Sequence, residues 1–233
     1  MGGIFDATQA VCALDASHVW VAGTARANAP SSFNPYSSSG TGYREGVVYF
    51  FNGTAWSAPV TAGAPGSGFA DIFAGDPTHV WAAAPRSGIY MFDGTQITKQ
   101  YTAPGKLNRV AAADAQYAWA TTNDAPNTSE VYVFKDGTWS KDASALHMII
   151  YDISAQDASH LWVTGVKDED FPMAQKNPGR QTLQVMWVMS GGSYRPVGFP
   201  KVKGLGKVVD ALKSGSVWAV VELTPYYGTK KFF

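Results

Sequence analysis

Asp76-Pro77-Thr78-His79-Val80-Trp81 is the stretch that decides the fold, because the chain repeats it along its length. Asp15-Ala16-Ser17-His18-Val19-Trp20 precedes it. Asp114-Ala115-Gln116-Tyr117-Ala118-Trp119 and Asp157-Ala158-Ser159-His160-Leu161-Trp162 follow, and a worn copy, Ser214-Gly215-Ser216-Val217-Trp218, closes the series. Successive tryptophans stand 61, 38, 43 and 56 residues apart. A basal unit of about 40 residues with insertions marks a radial or stacked repeat.

Reading outward from Trp81 gives four strands per unit. Residues 69–74 are small and apolar and form a first strand. The Gly75-Asp76-Pro77-Thr78 segment carries turn chemistry, since proline presets φ and an aspartate side chain bonds backbone two residues on. His79-Val80-Trp81-Ala82-Ala83 is a second strand, and Ile89-Tyr90-Met91-Phe92, rich in branched and aromatic residues, is a third. Asp93-Gly94-Thr95 reads as a hairpin turn before a fourth, outer strand over residues 96–100. The same turn recurs as Asn52-Gly53-Thr54 before Trp56, as Asp136-Gly137-Thr138 before Trp139, and in degraded form as Ser190-Gly191-Gly192-Ser193. No helical period of useful length interrupts the pattern.

Four short antiparallel strands per unit make a propeller blade. The pattern resembles bacterial β-propeller repeat proteins whose blades read Asp-x-x-His-Val-Trp and then Asp-Gly-Thr-x-Trp. The resemblance covers nearly the whole chain and implies an all-β, five-bladed propeller with blades near residues 9–61, 69–102, 107–143, 148–198 and 207–233, forming a single domain over residues 1–233. It names no single activity, because lectins, sialidases, assembly factors and scaffolds share such blades. The five second-strand tryptophans are expected to pack between blades. The fifth blade shows no fourth strand, so it is expected to be closed by residues 3–8 or by residues beyond Phe233, since a raw sheet edge is normally avoided.

Composition narrows the function classes. The 233 residues carry 18 basic and 18 acidic side chains, so nothing suggests nucleic acid or an anionic membrane surface as partner. Charged residues are 15%, with Gly, Pro, Ser, Thr and Asn in their place, a turn-rich profile that suits an extracellular or cell-surface β protein. Cys12 is the single cysteine, which excludes an intrachain disulfide and reads as a small hydrophobe in an inner strand. No apolar run approaches a membrane span. No leader precedes the first repeat, so a mature form or a fragment is expected. Asn52-Gly53-Thr54 and Asn127-Thr128-Ser129 match the glycosylation sequon, though the first is equally a turn.

Loop length points to a working surface. In a propeller the first-to-second and third-to-fourth turns lie on one rim, and here they are short. The second-to-third loops and the connections between blades lie on the other, and these are long: residues 25–45, 122–130 and 167–181. Long loops on a rigid scaffold are where sites sit. This rim holds Phe33, Tyr36, Tyr43, Arg44, Arg86, Asn127, Phe171, Arg180, Tyr226 and Tyr227 as binding candidates. Aromatic rings beside planar polar groups suit either a sugar or a protein ligand.

Chemistry candidates are few. His18, His79 and His160 fall in one repeat position on different blades, which separates them and favours bonding to the preceding Asp turn over a shared metal. His147 is read as structural. Asp168-Glu169-Asp170 lacks the alternating spacing of a calcium loop and reads as a solvated run. Asp71, Arg109 and Asp152 occupy one column of the first strands, which Asp210 joins if the last copy is realigned. As an enzyme the chain would use Asp71 and Asp152 as a carboxylate pair on a glycoside, with Arg109 between them; otherwise Arg109 balances their charge. No phosphate loop, nucleophile elbow or metal spacing is present, and no cofactor is expected. The expectation is a non-enzymatic recognition module for glycan or protein, against a glycoside-active enzyme or a structural subunit that associates through an unpaired blade edge.

Overall fold

A computed structural model of the chain describes residues 7–26, 44–63, 66, 68–122, 128–142, 147–167, 186–190, 193–197, 205–211 and 216–222. The described residues are strands and turns throughout, with no helix among them. The strands assemble into five antiparallel sheets, one per repeat. The first contains β1 (Ala7–Asp15), β2 (His18–Arg26), β3 (Arg44–Phe51) and β4 (Val60–Thr61), paired in that order. The second contains β5 (Asp71–Asp76), β6 (His79–Ala84), β7 (Gly88–Phe92) and β8 (Ile97–Tyr101). β9 (Leu107–Ala112), β10 (Ala118–Thr122), β11 (Val131–Lys135) and β12 (Thr138–Lys141) form the third. The fourth is β13 (Met148–Asp157), β14 (His160–Lys167), β15 (Met186–Ser190) and β16 (Ser193–Pro196). The fifth pairs β17 (Leu205–Ala211) with β18 (Val217–Glu222). These are meanders, in which strands adjacent in sequence are adjacent in the sheet.

Two compact units result. One holds the first three sheets, residues 1–122 with 130–142; the other holds the last two, residues 123–129 with 143–233. In the first unit β6 shows how the repeat builds a core. His79–Ala84 is buried along almost its whole length, yet its side chains divide by parity. Val80, Ala82 and Ala84 join Trp20, Phe69, Ile72, Ala74, Tyr90 and Phe92 on the side of the first sheet. Trp81 and Ala83 join Leu107, Val110, Ala112, Ala118 and Ala120 on the side of the third. A strand covered on both faces reads as a continuous apolar run. The alanines leave room for a full indole from the neighbouring sheet. In the second unit Ile149, Ile153, Leu161, Val163 and Val209 are the corresponding buried groups.

Three details differ from the sequence reading. The first strand of the second sheet runs two residues further than expected, to Asp76, because Asp76 pairs with His79 after a bulge at Gly75. The same irregularity falls between Ala13 and Asp15 and between Ala155 and Asp157. Trp20, Trp81 and Trp119 are buried as expected, but Trp162 is half-buried, its Nε1 donating to Gln156 Oε1 at 3.1 Å, and Trp218 is exposed. Ala7 and Thr8 pair with Thr24 and Gly23 and so belong to the first sheet; the rest of 3–8, like residues 223–233 of the expected fifth blade, lies outside the described residues.

Candidate functional site

The two ends of each sheet are built differently. At one end the Asp of every full repeat closes its own turn. Asp15 Oδ1 accepts the Ser17 amide at 2.7 Å, Asp76 Oδ1 the Thr78 amide at 2.7 Å, Asp114 Oδ1 the Gln116 amide at 2.7 Å and Asp157 Oδ1 the Ser159 amide at 2.8 Å. The histidine three residues on then meets the same carboxylate. His18, His79 and His160 each place Nδ1 2.9 Å from Asp15, Asp76 and Asp157 respectively. The histidines therefore serve their turns, and among the described residues no cluster of metal ligands forms. Burial works against ionisation at Asp76 and Asp157. At Asp157 the Ser159 hydroxyl and amide and then His160 outweigh it and hold the carboxyl at about 2. At Asp76 the Thr78 amide and His79 do the same, leaving it below the ordinary range.

The third-to-fourth turns lie at this same end and come in two forms. Asp136 and Gly137, with φ of 52° and 78°, make a two-residue hairpin in which Lys135 pairs with Thr138. That geometry needs positive φ at both central positions. The Asn52 and Asp93 turns are longer. Asn52 Oδ1 accepts the Thr54 and Ala55 amides at 3.0 and 2.9 Å, and Asp93 Oδ1 accepts the Thr95 and Gln96 amides at 2.9 Å each. The Gln96 and Thr95 amides, with the Thr95 hydroxyl, hold the Asp93 carboxyl far below the usual carboxylate range.

The opposite end carries the long connections. Of the residues expected there, Arg86 is exposed in the turn between β6 and β7. Arg44 opens β3, its backbone paired with Arg26. Phe33, Tyr36, Tyr43, Asn127, Phe171, Arg180, Tyr226 and Tyr227 lie outside the described residues, as do Asp168, Glu169 and Asp170. Sequence reasoning missed Glu130 at this end. Its Oε1 accepts from Lys141 Nζ at 2.6 Å and its Oε2 from the Tyr132 hydroxyl at 2.5 Å. Lys141 first, then Tyr132, keep its carboxyl below the ordinary range.

The register of the first strands places the expected residues in one column, and its two aspartates accept main-chain amides. Asp71, Arg109 and Asp152 pair with Ala83, Thr121 and Thr164, each two residues past its tryptophan. Asp210 pairs with Trp218 itself, so it stands outside the column, and Val208, opposite Val220, takes the place. Asp71 Oδ2 accepts the Val110 amide of the next sheet at 2.9 Å, and Asp152 Oδ2 accepts the Val209 amide of its next sheet at 2.9 Å. Val110 and Val209 are equivalent positions, opposite Ala120 and Ala219. A second column does likewise: Cys12 Sγ accepts the Ala74 amide at 3.2 Å and Ser154 Oγ the Ala211 amide at 3.0 Å. The cause is the edge. A first strand pairs on one side only, and its outward amides need acceptors. Cys12, read from sequence as a plain hydrophobe, is half-buried and acts as one of these acceptors. Arg109 Nη1 donates to the Asn108 carbonyl at 3.1 Å and to Asn108 Oδ1 at 3.3 Å.

No family model matches the chain, and no curated protein matches it in sequence. Solved structures do. The chain is similar to YCF48 bound to D1 peptide, with a TM-score of 0.55 and 14% identity over 94% of this chain and 62% of that one. It is similar to the WD40 β-propeller domain of Doa1, with a TM-score of 0.53 and 11% identity over 91% of this chain and 75% of that one. Streptogramin B lyase matches with a TM-score of 0.51 and 10% identity, over 96% of this chain and 93% of that one. The chain thus spans under two thirds of the YCF48 chain it matches. At such identities the likeness is one of fold, and the fold is the β-propeller, with one sheet per repeat as its blades.

Proposed function

We propose that the chain is a non-enzymatic recognition module that binds an extended segment of another protein at the long-connection end of its sheets. The observation that carries this reading is the contrast between the ends. At one, side chains close each turn on itself; at the other, length and residue type vary from blade to blade. Arg86, exposed on the short turn between β6 and β7, suits an anchoring role, since arginine and aromatic groups dominate protein-binding surfaces. A propeller of similar fold with a peptide bound supports a peptide over a sugar as ligand. The carboxylates of a glycosidase would have to be available to substrate, whereas Asp71 and Asp152 each accept a backbone amide. The turn-rich, weakly charged composition suits a module that works outside the cell or at its surface.

A displayed peptide library screened beside a glycan array tests it. Selected peptides should bind the wild-type protein and lose at least fivefold in affinity to Arg86→Glu, whose thermal transition stays in place. Binding to glycans with no selected peptide would overturn the reading. So would glycoside turnover abolished by Asp152→Asn.

A further inference from the structure

The fourth sheet carries at its turn end an arrangement that the first three lack. Asp157 closes β13, His160 opens β14 and Ser190 closes β15, so three adjacent strands of one sheet bring them together. His160 places Nδ1 2.9 Å from both carboxylate oxygens of Asp157, and Nε2 3.4 Å from the Ser190 hydroxyl. Each ring nitrogen thus has its own partner, a carboxylate on one and an alcohol on the other.

The carboxylate decides where the proton sits. Asp157, its carboxyl held at about 2, is ionised at neutral pH and can only accept. In its neutral form His160 therefore keeps its proton on Nδ1, donates it to Asp157, and turns a bare Nε2 lone pair toward Ser190. A bare imidazole nitrogen is a base for the proton of an adjacent alcohol, and such hydrogen bonds are commonly long before a reactant binds. Ser159 is the competing hydroxyl, 3.1 Å from Nδ1, but its own proton goes to Asp157 Oδ1 at 2.8 Å. The His160 side chain is 36% exposed, so a reagent can reach it.

The other sheets are controls within the same molecule. Extending the strand register sets Asn52 opposite His18, Asp93 opposite His79 and Lys135 opposite Tyr117. The lysine Nζ lies 5.9 Å from the centre of the Tyr117 ring. The first two sheets keep the Asp–His pair and have no alcohol across from it. Ser190 is the substitution that adds a nucleophile.

We propose that Ser190 is a nucleophilic hydroxyl, activated by His160, that takes an acyl group from an activated ester or thioester. Ser190 Oγ bonds to the carbonyl carbon while its proton passes to His160 Nε2. The carbonyl π pair moves to oxygen and returns as the bond to the leaving group breaks. The leaving group departs with that bond's electron pair and takes the proton from Nε2. Asp157 is a positioning residue that holds the ring and its tautomer. The product is one ester-linked acyl group per chain, at the end of the sheet away from its long connection, so the chemistry stands apart from the recognition reading.

Treating the full chain with 4-nitrophenyl acetate at neutral pH and locating the acetyl groups by peptide mass spectrometry tests this. Ser190 should be acetylated at least tenfold faster than Ser159 or Thr78, the hydroxyls that share a turn with an Asp–His pair. Ser190→Ala should remove that label, and His160→Gln should slow it at least tenfold with the thermal transition kept. If His160→Gln unfolds, the wild-type comparison with Thr78 still decides. Nitrogen-15 shifts of the His160 ring should report Nδ1 protonated and Nε2 bare, and Asp157→Asn should shift that balance. Acetylation of Ser190 no faster than of Thr78 would overturn the proposal. So would labelling of Ser190 that folded His160→Gln leaves unchanged, or a wild-type ring protonated on Nε2 alone.

Discussion

Asp71 and Val110 stand 39 residues apart and are joined by one hydrogen bond, the carboxylate oxygen accepting the main-chain amide at 2.9 Å. Asp152 and Val209 repeat the joint across 57 residues, at the same distance. Two acids of the Asp71, Arg109 and Asp152 column thereby link the edge strands of neighbouring sheets.

Removing the acceptor leaves the Val110 amide without the partner its edge position requires. Asp71→Ala should cost about 1–3 kcal/mol, the usual penalty for a part-buried donor left unmade. Asp71→Asn keeps an oxygen in place and should cost less than half as much, through loss of charge assistance alone. Urea unfolding of the two variants checks the order. Equal losses would show that the bond contributes nothing.

The Asp157 turn carries a pH signature. Its carboxyl drops from an ordinary 3.8 to about 2 on folding, so the folded state binds that proton less readily than the unfolded chain. The stabilisation is present above about pH 4 and is lost as the pH falls through the folded value. The unfolding midpoints of wild type and Asp157→Asn should therefore differ steadily near neutrality and converge between pH 4 and 2. Parallel curves down to pH 2 would place the shift elsewhere.

Gly75 and Gly137 are both needed, for different reasons. A Cβ on Gly75 would lie 2.4 Å from the Asp114 carbonyl oxygen of the next sheet, and both partners are backbone. Gly75→Ala should therefore cost about 1–3 kcal/mol by forcing the sheets apart. Gly137 has open space around it, but its φ is +78°. Gly137→Ala should cost about 1–2 kcal/mol through backbone conformation. Thermal unfolding separates the mechanisms when Gly137→Asn is added, because asparagine tolerates that conformation and should recover most of the loss.

The tryptophans should divide by burial. Trp81→Ala removes a fully buried indole and should cost about 3–5 kcal/mol. Trp218→Ala, at an exposed position, should stay within about 0.5 kcal/mol of wild type. Chemical denaturation at low concentration measures both.

The sequence made the sheets legible because its signals were local. Asp-x-x-His-Val-Trp brings its turn chemistry and its central strand together, and the Trp register that aligned Asp71, Arg109 and Asp152 is the register the strands adopt. What escaped was set by groups distant in the chain. Asp71 looks free until Val110 arrives from the next sheet, and Cys12 looks inert until the Ala74 amide meets its sulfur across 62 residues. Asp210 escaped because the last copy is shortened, so its offset from the tryptophan could be counted more than one way. Trp218 carries the motif of a buried residue, yet burial depends on a neighbouring face that the motif itself does not encode.

The self-closing turns also bear on the order of folding. Asp15, Asp76, Asp93 and Asp157 find their amide partners two or three residues away. The links between sheets span 39 to 62 residues. Hairpins close in about 1–10 μs, whereas contacts distant in the chain wait on loop closure and slow the whole process. Each repeat can thus fold as a separate hairpin unit, with the carboxylate, hydroxyl and thiol links engaging last. Pulse-labelled amide exchange during refolding would see this as early protection at Thr78 and Thr95 and late protection at Ala74, Val110, Val209 and Ala211.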